Sequence, residues 1–136
     1  MKKNSPPIKT LDISAKNTNG FIVPKVHFDA STGVCELSGE SSIENTLDFY
    51  GIMLSWLDSY MKNGNSIIFN FKLTYFNTSS SKGILELMKK LKNYMELGSD
   101  VKVNWYYDKD DETILEEGQD YIEYTNLPIS LISYTN

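Results

Sequence analysis

Apolar positions along the chain switch between two periods, and the switches divide it into strands and helices. "FIVPKVHFD", Phe21 to Asp29, alternates loosely, with Pro24 favouring an edge position. "ASTG" makes a turn, and Val34 to Leu37 returns as a second short strand, predicting an N-terminal hairpin. In "GESSIENTLDFYGIMLSWLDSYMKNGN", Leu47, Tyr50, Leu54, Leu57 and Met61 recur at helical spacing, and Met53 and Tyr60 broaden the stripe. Ser42 or Asn45 is placed to cap this helix, and Gly64 ends it.

"SIIFNFKL" alternates, with Ile67, Phe69, Phe71 and Leu73 on one face. Ile68 on the other face predicts that both sides are at least partly covered. Ile84, Leu85, Leu87, Met88, Leu91 and Met95 then give a second helical stripe, stopped at Gly98. Val101, Val103, Trp105 and Tyr107 return to alternation. Strand, helix and strand in that order predict a parallel, right-handed βαβ unit. A third helix is expected from about Asp111 to Glu117, with "LPISLISY" as a last strand or an extended tail.

The sum is an α/β fold: a single small domain with a mixed sheet of four or five strands and packed helices. Residues 1–8, with Ser5, Pro6 and Pro7, read as a flexible arm, and residues 9–136 as the domain itself. At 136 residues the chain can bury a core without staples.

Charge and cysteine content narrow the function classes. The net charge of −5 and the scattered lysines make nucleic acid and anionic lipid poor partners. Cys35 stands alone, so neither an intrachain disulfide nor a cysteine metal site can form, which fits a reducing compartment. The two lysines at the start are followed by no signal-peptide apolar region, and no apolar run reaches membrane-span length. The expected location is the cytoplasm.

A catalytic reading has little to build on. His27 is the one histidine, and Cys35 on the following strand could approach it across the hairpin. "DKDDE", Asp108 to Glu112, has carboxylates for a divalent cation but lacks the alternation and glycine of an EF-hand loop. It reads better as a solvated turn that supplies carboxylates to a helix start. There is no P-loop, GxGxxG or nucleophile elbow. No cofactor is expected. A small hydrolase or transferase using His27 is one alternative, and a scaffold module without modification is another.

The block between strand and second helix in "LTYFNTSSSKGILELMKKL" asks for more explanation. Asn77, Thr78, Ser79, Ser80 and Ser81 stand together where one capping residue is enough. Caps plus a polar loop would account for some of them. A phosphoacceptor would account for the rest: phosphate on Thr78 would sit where free backbone N–H groups and the helix dipole favour negative charge.

"GESSIEN", "LTYFNTSSSKGIL" and "VNWYYDKDDE", in that order, resemble the SiaC family of bacterial regulatory phosphoproteins. The resemblance runs from about Phe21 to the C-terminus, with "YFNTSS" its most specific part. It implies a fold similar to anti-sigma-factor antagonists of the STAS type. It also implies a non-enzymatic switch with Thr78 as the phosphorylation site, Asn77 and Ser79 shaping the partner-binding loop, and Ser80 as companion cap. A protein kinase of the histidine-kinase-like ATPase type and a PP2C-like phosphatase would act on Thr78. The unmodified form would bind an effector, in the family a diguanylate cyclase, raising cyclic di-GMP and promoting aggregation or biofilm growth. One departure is visible: the family commonly has proline before the Glu-Asn pair of the first helix, where this chain has Ile43.

Overall fold

The computed structural model describes residues 8–136. The chain runs β1 (Leu11–Ile13), β2 (Lys16–Thr18), β3 (Phe21–Val23), β4 (Lys25–Phe28), β5 (Val34–Ser41), α1 (Thr46–Met61), β6 (Ile67–Phe76), α2 (Thr78–Glu96), β7 (Val101–Asp108), α3 (Glu112–Thr125) and β8 (Ile129–Tyr134). Six strands form one mixed sheet in the order β1-β4-β5-β6-β7-β8, and β2 and β3 pair as a separate hairpin. β4 is antiparallel to both neighbours, while β5 through β8 are mutually parallel.

Each parallel step moves one place in the same direction through one helix. Right-handed crossovers therefore put α1, α2 and α3 on one face of the sheet. The core lies there. Phe28, Leu37, Phe69, Phe71, Leu73, Val103 and Trp105 from the strands meet Met53, Leu57, Ile84, Leu87, Met88, Leu91 and Ile114 from the helices. Two glycines bring the helices close to aromatic rings. A Cβ at Gly83 of α2 would lie 2.6 Å from Tyr50 Cδ2, and one at Gly118 of α3 would lie 2.7 Å from Trp105 Nε1.

The opposite face is polar. One rung crosses all six strands through Asp12, His27, Glu36, Asn70, Asn104 and Ser130. Asn104 Nδ2 donates to Asn70 Oδ1 at 2.8 Å, and Lys72 pairs with Glu36 at 3.3 Å. Ile68 stands on this side, 38% exposed, among the half-buried Val34, Asn70, Tyr106 and Ile132 and the buried Asn104, so this face is partly covered.

The α/β class and single mixed sheet hold, with six strands where four or five were expected. The additional pairing comes from β1, a three-residue strand too short to show a period, and from β8, where the last apolar run forms a true strand. Pro24 is not on an edge strand; it separates β3 from β4, and β4 is flanked on both sides. α3 extends to Thr125, well past the expected Glu117, and closes on Asn126 in the left-handed region at φ 58°. Leu47, placed in the core stripe of α1, is 86% exposed. The flexible arm expected over residues 1–8 lies outside the described residues except for Ile8, which packs against the core.

Candidate functional site

β5 and β6 are adjacent and parallel, so their C-terminal ends lie side by side at one edge of the sheet. There the chain enters α1 from Ser41 and α2 from Phe76, and the hydroxyl block stands at the junction. Asn77 has an extended backbone and caps α2: its Oδ1 accepts the Ser80 N–H at 2.9 Å. The Asn77 Nδ2 donates to the Ile43 carbonyl at 3.2 Å, and its backbone N–H donates to Ser41 O at 3.1 Å. The turn that carries the Ile43 departure is thus tied directly to the start of α2.

Thr78 is the first residue of α2 and is exposed. Asn77 takes only the Ser80 N–H, so the first-turn N–H groups of Thr78 and Ser79 have no intrahelical acceptor. No acidic residue lies in that first turn. Ser79 is half-buried and faces a groove of about 360 Å³ between α1 and α2. Ser81 is held down, donating from Oγ to the Thr78 carbonyl at 2.6 Å while its own carbonyl accepts from the Tyr121 hydroxyl at 2.8 Å.

Ser80 departs from its expected role. It is fully buried, its backbone is capped by Asn77, and its Oγ donates to Ser41 O at 2.9 Å. It is neither a cap nor available to a partner. Its hydroxyl also meets Ser41 Oγ at 2.7 Å, which in turn meets the Tyr50 hydroxyl at 2.9 Å. Burial pushes the Tyr50 phenol up to about 12, so it keeps its proton and serves this chain of hydroxyls as a neutral partner. The cluster locks α2 to β5 and α1 beneath Thr78. Sequence reasoning missed it because β5 was expected to stop at Leu37, although it runs on to Ser41. The paired "GESS" and "NTSS" segments after neighbouring parallel strands were the available signal.

Over residues 15–134 the chain matches the model of the SiaC family regulatory phosphoprotein. The chain belongs to the SiaC family. A curated relative, an uncharacterized protein of Pseudomonas aeruginosa strain UCBPP-PA14, is 25% identical over 109 residues, 79% of this chain and 86% of the relative. The fold is similar to that of apo-SiaC from Pseudomonas aeruginosa, with a TM-score of 0.80 at 22% identity, covering 90% of this chain and 98% of that one. It is also similar to a chain of the crystal structure of diguanylate cyclase SiaD in complex with its activator SiaC, from the same organism. That match has a TM-score of 0.83 at 22% identity and covers 91% of this chain and 99% of that one.

The residues weighed for catalysis are not brought together. His27 pairs with Glu36 across the hairpin and stands on the polar face, where its Nδ1 meets Asp12 Oδ1 at 3.4 Å. Cys35 is buried on the opposite face, and burial, reinforced by the Asp29 charge, raises its thiol well above the usual range. The Asp108–Glu112 run is local scaffolding: Asp108 Oδ1 accepts the Asp110 N–H at 2.9 Å, and Asp111 caps α3 through the Ile114 N–H at 3.1 Å. Among the described residues, no group of three or more metal-ligating side chains has metal-site geometry. Among the described residues no helix is long and apolar enough to cross a membrane.

Proposed function

We propose that this SiaC-family chain is a phosphoswitch whose acceptor is Thr78. The observation that carries the reading is the exposure of Thr78 at an α2 start that has unpaired N–H groups and no carboxylate in its first turn. In the transfer step the Thr78 hydroxyl oxygen attacks the γ-phosphorus of ATP, the bond to ADP breaks, and the hydroxyl proton leaves to a base on the kinase. A PP2C-like phosphatase reverses the modification by hydrolysis. Both act in the cytoplasm.

The modification adds a charge of about −1.5 to −2 to a surface of neutral hydroxyls. A partner packed over Thr78 and Ser79 in the unmodified state then has to accommodate a hydrated dianion, and docks less well. The effector is a diguanylate cyclase by analogy with Pseudomonas aeruginosa SiaC, described as the activator of SiaD. The family and the shared fold support that partner class.

The test is mass spectrometry of the protein after incubation with its cognate kinase and ATP, followed by effector pull-down. One phosphoryl group is expected on Thr78, none on the Thr78→Ala variant, and effector capture is expected only from unmodified chains. A chain that stays unmodified, or one whose two forms retain the effector equally, overturns the reading.

A further inference from the structure

α2 carries four lysines: Lys82, Lys89, Lys90 and Lys92. Three hold a carboxylate: Lys89 pairs with Glu86 at 3.5 Å, Lys90 with Asp58 at 2.5 Å and Lys92 with Glu96 at 4.0 Å. Lys82 pairs with none among the described residues, and it is exposed. It is also the lysine nearest Thr78, four residues on, which places the two side chains one above the other on the same helix face. A negative group N-terminal to a lysine at this spacing is the more favourable order for an intrahelical pair.

Lys82 has a second distinction. It stands on the rim of two grooves that flank α2. One, of about 360 Å³, lies between α1 and α2, where Glu44 and Glu86 are the other charged residues. The second, of about 580 Å³, lies between α2 and α3, with Glu117, Asp120 and Glu123. Lys82 is therefore the one cation on either rim among the described residues. Leu47 and Leu54 open into the first groove, and Leu85 and Tyr124 into the second, so both offer apolar surface beside that single positive charge.

We infer that Lys82 is the positioning residue that reads the state of Thr78. This deepens the phosphoswitch reading and rests on it. With Thr78 unmodified, the Lys82 ammonium is free to meet a carboxylate on the effector between the two grooves. With phosphate on Thr78, the ammonium turns back one helical turn and pairs with the phosphate oxygens. Both grooves then present only acidic rims, and the effector loses its counter-charge. The phosphate thus acts at a distance of one turn through a side chain already on the docking face.

The experiment installs phosphothreonine at position 78 of the full chain during synthesis, so that it does not depend on any kinase. The second ionisation of the phosphate is then followed by ³¹P NMR at low salt. Its midpoint is expected to rise by about 0.3 unit or more in Lys82→Gln, to return in Lys82→Arg, and to stay unchanged in Lys89→Gln. The difference should shrink at 1 M salt. In effector binding, unmodified Lys82→Gln is expected to bind several-fold more weakly than the parent protein. A ³¹P titration unmoved by Lys82→Gln, or effector binding indifferent to it, overturns the inference. Failure of the kinase to modify Thr78 would defeat the phosphoswitch and leave the ³¹P result standing, so the two failures are distinguishable.

Discussion

Asn77 and Asp111 do the same work at the starts of α2 and α3. Each side-chain oxygen accepts the N–H three residues ahead, at 2.9 and 3.1 Å, and each helix follows a parallel strand at the same edge of the sheet. Each helix also seats a glycine on an aromatic ring, Gly83 on Tyr50 and Gly118 on Trp105. The surroundings differ in charge. The start of α3 lies among Asp108, Asp110, Asp111 and Glu112, while the first turn of α2 holds only neutral hydroxyls. α1 resembles α3 in this respect, with Glu44 and Asp48 beside its cap. A helix start favours negative charge, and two of the three have already taken theirs. The α2 start is the one left electrically open, so a dianion added there meets N–H groups and a lysine rather than a wall of carboxylates.

The glycines give the largest way to break this parallel. Gly83→Ala and Gly118→Ala should each cost about 1–3 kcal/mol, because the added methyl collides with a packed ring. Gly51 of α1 is the control: a Cβ there meets nothing, so Gly51→Ala should stabilise by about 0.5–1 kcal/mol. Urea denaturation of the three variants reads both signs.

The caps come next. Asn77→Ala should cost about 1–2 kcal/mol, since it removes the cap and the tie to Ile43, and Asp111→Ala about 1 kcal/mol. Equal losses would show that the Ile43 tie contributes nothing. Within the hydroxyl block, Ser80→Ala should cost about 1 kcal/mol by removing one of the two donors to Ser41 O and a buried partner of Ser41 Oγ, whereas Ser79→Ala should fall within about 0.5 kcal/mol of the parent.

The smallest effect tests the electrical difference itself. Ser79→Asp and Thr113→Asp both place a carboxylate at the second position of a helix. The first should stabilise by a few tenths of a kcal/mol at low salt and lose that gain at 1 M, while the second should gain nothing beside the existing acids. A stabilising Thr113→Asp would show that the α3 start is no more saturated than the α2 start.

Much of this contrast was legible in the residues. The alternation in "SIIFNFKL" and "VKVNWYYD" and the stripe from Ile84 to Met95 carried the βαβ core, because buried faces enforce their period. The hydroxyl block stood out because capping could not absorb so many residues. What failed to show was set by tertiary placement. Leu47 obeys the helical period of α1 yet stands in the first turn of that helix and is exposed. Ser80 is as polar in sequence as Ser79, and its burial depends on Ser41 and Tyr50 arriving from other elements. Lys82 gains meaning only when the other lysines of α2 are seen to be paired.

The rung from Asp12 to Ser130 has a consequence for assembly. A second sheet or an apolar surface laid over that side would strip water from carboxylate, imidazole and amide groups with few replacements on offer. Packing onto that side therefore carries a desolvation cost that the helical face does not share to the same degree.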